Sequence, residues 1–185
     1  MSVIIKDGTS SSNNTVKVNE RNRLSVSSAG YSESRMVSAQ DGETYKWNTS
    51  WSADTGEMVA YIKCNSTTHR LIIDRVTVGG VVTGFFELFQ VTGTAAGTTM
   101  TGKNMNLTAG NSANATGFGG AEVTGLTEAG RIDLARVPAL GRVDMEIDDT
   151  LILGQNHAIA IKYTGSTGIV DIIITGYFKP IKELK

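Results

Sequence analysis

Glu57-Met-Val-Ala-Tyr-Ile-Lys-Cys64 and Arg70-Leu-Ile-Ile-Asp-Arg-Val-Thr-Val78 are two β-branched runs separated by the polar stretch Asn65-Ser-Thr-Thr68. Short apolar runs bounded by turn residues are strand signals. The pattern repeats outward from this pair. Gly84-Phe-Phe-Glu-Leu-Phe-Gln-Val91 follows Gly79-Gly80, and strand signals return at 131–134, 142–147, 150–153, 157–163 and 168–178. Turns are expected at 53–56, 153–157 and 164–168. Neither proline, Pro138 nor Pro180, interrupts a run. No window carries the i, i+3, i+4, i+7 apolar spacing of a capped helix. Eight or so short strands predict an all-β, jelly-roll-like antiparallel β-sandwich.

Residues 1–30 read differently and predict an extended N-terminal arm ahead of a sandwich over 31–185. Val3-Ile4-Ile5, Val16-Lys17-Val18 and Leu24-Ser25-Val26 are short alternating pieces around the polar tract Ser10-Ser11-Ser12-Asn13-Asn14. Pieces this short bury no core alone, so the arm is expected to pair with a partner edge. Ile4, Ile5, Val16, Val18, Leu24 and Val26 are its candidate contacts, with Arg21 and Arg23 as donors to partner carboxylates. A second feature is the polar stretch 92–130, which holds nine of the 21 glycines and predicts a long Gly/Thr-rich insertion. Phe85 and Phe86 cannot both face one side of a strand. Phe86 is taken as the partner-facing ring, and the pair together with the insertion predicts a homotrimer.

Composition narrows the function classes. The chain has 185 residues, net charge −1 and a single cysteine, Cys64. That predicts no nucleic acid as partner, no membrane and no intrachain disulfide. Residues 1–8 carry no leader pattern, so synthesis in a reducing cytoplasm is expected.

The chemical motifs are weak. Gly97-Thr-Thr-Met-Thr-Gly102-Lys103-Asn104 fits the phosphate-loop spacing up to Asn104, where a Ser or Thr should bind magnesium, and no helix is expected after it. Asp144, Glu146 and Asp148 would share one strand face, solvated or holding a hard cation. Cys64 with His69 or His157 is the one conceivable thiol–imidazole pair. Tyr45, Trp47 and Trp51 lie on one face, as a core-edge cluster or a glycan platform. No cofactor and no catalytic residue are expected.

The segment Ile4-Ile-Lys-Asp-Gly-Thr9, followed by a polar tract and Val16-Lys-Val-Asn-Glu-Arg-Asn-Arg-Leu-Ser-Val26, resembles a recurrent N-terminal segment of tailed-bacteriophage virion proteins. The Gly/Thr/Asn-rich stretch through Asn104-Met-Asn-Leu-Thr-Ala-Gly110 and Val123-Thr-Gly-Leu126 is similar to their insertion. The resemblance implies a virion component made in a host cytoplasm and placed on the capsid surface. It further implies a jelly-roll decoration (cement) protein that binds between subunits of the major capsid protein. A tail-fibre or host-recognition module that binds glycans is the alternative, and a depolymerase using the Asp144, Glu146 and Asp148 acids is a third reading.

Overall fold

A computed structural model describes residues 3–5, 14–16 and 40–181, without the side chains of the first two stretches or of Glu146, Asp148 and Asp149. The chain divides into two compact units, Met1–Ser32 and Glu33–Lys185. In the first, β1 (Val3–Ile5) pairs antiparallel with β2 (Asn14–Val16), Val3 opposite Val16. Of the expected arm contacts, Ile4, Ile5 and Val16 therefore have their backbone in a local three-residue ladder. Of the strand expected at 16–18, Val16 ends β2 and the other two residues lie outside the described ones. Val18, Arg21, Arg23, Leu24 and Val26 lie outside the described residues.

The second unit is a two-layer sandwich. In chain order its strands are β3 (Thr44–Ala53), β4 (Met58–Cys64), β5 (His69–Gly80), β6 (Gly84–Ala96), β7 (Lys103–Asn104), β8 (Ala115–Gly119), β9 (Thr124–Val137), β10 (Gly141–Leu153), β11 (Ala158–Gly165) and β12 (Gly168–Pro180). The eight long strands pair first with last. β3 lies along β12, β4 along β11, β5 along β10 and β6 along β9, all antiparallel. That nesting is a long hairpin rolled over on itself. Pairings β12 with β5 and β11 with β6 then join the ladders into two sheets, β10-β5-β12-β3-β7 and β8-β4-β11-β6-β9. This is the double-sheet jelly-roll arrangement.

Alternation decides what lies between the sheets. Val170, Ile172, Ile174 and Phe178 of β12 face Val59, Ile62, Phe86, Leu88, Ile159 and Ile161 of the other sheet in one core. Burial of each such side chain contributes about 1.5–3 kcal/mol. In β5 a bulge at Asp74 breaks the ladder to both neighbours, between Ile73 and Arg75. It switches the inward set from Leu71 and Ile73 to Val76 and Val78, because one extra residue reverses the facing of all that follow. Tyr163 sits in a slot between Gly84 and Gly165, where a Cβ on either glycine would collide with its ring.

The stretch 92–130 is not one long loop, which corrects that expectation. β6 continues to Ala96 and β9 starts at Thr124, so the connection is 97–123 and itself carries β7 and β8. β7 covers the outer edge of β3, with Tyr45 opposite Asn104, and β8 covers the outer edge of β4 from Ala60 to Cys64. Asparagine side chains stitch this segment to the chain ahead of β3. Asn104 Nδ2 donates to the Gly42 carbonyl at 2.7 Å and Asn106 Nδ2 to that of Gln40 at 2.9 Å. The connection also roofs a second apolar cluster on the outer face of its sheet. There Tyr61, Phe89, Val91, Ala158 and Ala160 gather with Val123, whose N–H donates to the Met58 carbonyl at 2.8 Å.

The partner-facing reading of Phe86 is overturned. Phe86 is 0% exposed between the sheets and Phe85, on the opposite face of β6, is 41% exposed. The reason is register: Phe86 and Leu88 share the inward parity, and Phe86 packs on Tyr163 with ring centroids 5.2 Å apart. Phe86→Ala is expected to cost about 3–5 kcal/mol of stability and Phe85→Ala under about 1 kcal/mol. Urea unfolding of both variants checks the assignment, and equal losses would contradict it.

Candidate functional site

Each chemical constellation expected from the sequence is occupied by structural work. Lys103 and Asn104 form β7, and the Gly97–Asn104 stretch runs on into a turn at 105–108 and not a helix. Gly102 lies against the Trp47 indole, 2.6 Å from a would-be Cβ to Nε1, which explains a glycine there. Tyr45 and Trp47 are in the core, and Trp51 packs against it while its Nε1 donates to the Val59 carbonyl at 3.4 Å. The aromatic group is therefore a core cluster and not a glycan platform. Cys64 is buried, and its Sγ meets the backbone carbonyl of His69, 3.9 Å away, not an imidazole. The His69 ring is engaged with Thr68 Oγ1 at 2.9 Å and the His157 ring with the Gln155 carbonyl at 3.1 Å.

Asp144 accepts from Thr77 Oγ1 and pairs with Arg75 at 3.4 Å across the β10–β5 ladder. The ladder shifts register between Glu146 and Leu151, and the side chains of Glu146 and Asp148 lie outside the described residues. The pair is about half-exposed and contributes at most about 1 kcal/mol. It lines a shallow groove of about 470 Å³ on the outer face of its sheet, together with Lys46, Thr44, Arg142 and Thr175. Among the described residues no group of three or more His, Cys, Asp or Glu is placed to hold a metal ion. Burial raises the hydroxyl pKa of Tyr61 and Tyr163, and at Tyr45 the Glu43 carboxylate adds to burial. Tyr163 is thus held as a protonated donor, and its hydroxyl donates to the Ser166 carbonyl at 2.6 Å.

What the structure does expose is one end of the sandwich. Four turns meet there in a row. The β3–β4 turn receives a hydrogen bond from Thr167 of the β11–β12 turn at the Asp54 carboxylate. The next contact is Val81 N–H of the β5–β6 turn to the Ile169 carbonyl at 3.0 Å. The last is Ala139 N–H of the β9–β10 turn to Thr83 Oγ1 at 3.2 Å. The middle of this row is apolar: Val81 is 40% exposed, Ile169 47% and Leu140 84%. Clustered exposed apolar groups of this kind mark interaction surfaces. Asp54 and Glu57 stand at one end of the row. Arg136 and Arg142 flank the β9–β10 turn at the other, Arg136 with its guanidinium 5.9 Å from the Phe85 ring centroid.

Leu140 is the unusual residue. The Gly141 N–H bonds to the Pro138 carbonyl at 2.9 Å, closing a four-residue turn, and Leu140 in its third place has φ +56°. Turns with positive φ there ordinarily use Gly or Asn, because a Cβ crowds the backbone. The chain thus holds a large apolar side chain almost fully in solvent at a backbone cost of about 1–2 kcal/mol. Sequence reading missed this row. The only signal was Pro138-Ala139-Leu140-Gly141 itself, a turn tetrapeptide with an apolar residue where glycine is favoured.

No family model matches the chain, and no curated protein or solved structure is significantly similar to it.

Leu140→Gly relieves the left-handed strain and is expected to raise stability by about 1 kcal/mol. Urea or thermal unfolding reads this directly, and a loss of stability would show that Leu140 packs inside the fold.

Proposed function

We propose that the protein is a non-enzymatic component of a tailed-phage virion, a capsid decoration protein that reinforces the shell by binding between major capsid protein subunits. The observation that carries this reading is how the molecule divides its surface. The chain covers the outer edges of β3 and β4 with its own β7 and β8 and leaves an apolar tip exposed at one end. Residue 40 enters the sandwich at the opposite end, since β3 runs ten residues from there to the tip. At about 3.3 Å per residue that is a rigid block some ~33 Å long. A block of this length that docks by its tip suits a protein that bridges neighbouring subunits. The resemblance of residues 4–26 to virion proteins points the same way.

The glycan-binding alternative loses its aromatic platform, because Tyr45 and Trp47 lie in the core. Of the motives for three-fold association, the insertion and the Phe85/Phe86 pair, only the exposure of Phe85 at 41% remains. The insertion packs on its own sheets, and Phe86 lies between them.

Immunogold labelling of intact particles tests the proposal. Label distributed over the head is the expected outcome; label confined to the tail tip, or none on purified particles, would refute it.

A further inference from the structure

We propose that the row of four turns is a self-complementary interface that joins two copies of this chain end to end about a two-fold axis. The argument is the order of chemistry along the row. Hydrogen bonds from Thr167 to Asp54, from Val81 to Ile169 and from Ala139 to Thr83 fix that order. It runs from the β3–β4 turn through the β11–β12 and β5–β6 turns to the β9–β10 turn. Its chemistry is acidic at Asp54 and Glu57, apolar at Ile169, Val81 and Leu140, and basic at Arg136 and Arg142.

A two-fold axis through the middle of such a row sets Ile169 and Val81 against their counterparts and the Leu140 turn against the partner copy's β3–β4 turn. It also sets each acidic end on the other copy's basic end, so every contact is made twice. An isologous interface requires this self-complementarity. The charges are available for it. Among the described residues the two carboxylates accept only uncharged donors, Asp54 from the Thr167 hydroxyl and Glu57 from the Asp54 N–H. Arg136 makes no ion pair among the described residues. Asp171 lies across Gly79 from Arg142, so Arg136 carries the larger share of the basic end.

Leu140 sits at the boundary of the apolar and basic segments, and its strained exposure is explained by insertion against the partner copy. The tip is the better adhesive surface than the long flank strand β9. Two of the three register shifts in its ladder with β6, at Leu88/Phe89 and Gln90/Val91, put an extra residue into that strand. Bulges and charges are how sheet edges avoid pairing with another chain. The inference does not rest on where the protein works.

Sedimentation equilibrium of the full chain at micromolar concentration tests it with three variants. The parent is expected to be a dimer. Leu140→Gly is expected to weaken association at least tenfold, while its melting temperature at a dilution where both proteins are monomeric stays at or above the parent's. Asp54→Lys with Glu57→Lys makes both ends basic, and Arg136→Glu with Arg142→Glu makes both ends acidic. Each protein alone is expected to be monomeric, and an equimolar mixture of the two is expected to form dimers again. A parent that is monomeric or three-fold, variants that dimerise as tightly as the parent, or a mixture that stays monomeric would each overturn the proposal.

Discussion

The pairing of β3 along β12 is the contact on which the rest of the molecule depends. It joins the first strand of the sandwich to the last, in a ten-residue register from Thr44 opposite Tyr177 to Ala53 opposite Gly168. Every other long pairing nests inside it, so it closes the longest loop of the sandwich. Such contacts are distant in sequence and carry the loop-closure cost of non-local pairing. Trp47, Tyr45 and Phe178 mark the place where this closure is held. Tyr45 packs edge-on against Phe178 with ring centroids 5.7 Å apart and tilts against Trp47 at 6.0 Å.

Closing the roll leaves sheet edges, and the chain treats its two flanks differently. On the β3 and β4 side the 97–123 connection supplies β7 and β8 as covers and asparagine bonds that tie them down. On the β9 and β10 side no strand is added among the described residues. There the ladder irregularities of β9 and the Glu146–Leu151 break in β10 distort the edge. Charged side chains along β9, with Arg131 on Glu87 and Glu128 on Lys162 at 2.8 Å each, disfavour a further strand. With both flanks managed, the turn row still presents Val81, Leu140 and Ile169 to solvent.

Period-two alternation was enough to read the fold class and most strands, because one face of each strand is buried and the other is not. It failed where that condition fails. β9 is exposed on both faces along most of its length, so Thr124–Gly130 shows no alternation and reads as loop. The glycines and threonines of 92–130 are there for close packing and for an exposed hairpin, not for flexibility. Phe85 and Phe86 could not be told apart without knowing which parity of β6 points inward. The tip was invisible for a different reason. Its residues come from four turns far apart in sequence, and only the nested pairing assembles them. What the candidate chemistry of Asp144, Cys64 and Trp47 lacked was likewise spatial: each residue has a structural partner that its sequence neighbours do not announce.

Hydrogen–deuterium exchange of the full chain, compared between dilute and concentrated solution, tests the central claim that the turn row is the working surface. The account expects concentration-dependent protection in the turns at 53–57, 80–83, 137–141 and 165–169, with β9, β10 and the 97–123 connection unchanged. Protection confined to β9 and β10, or to the connection, with the four turns exchanging freely at every concentration, would contradict it.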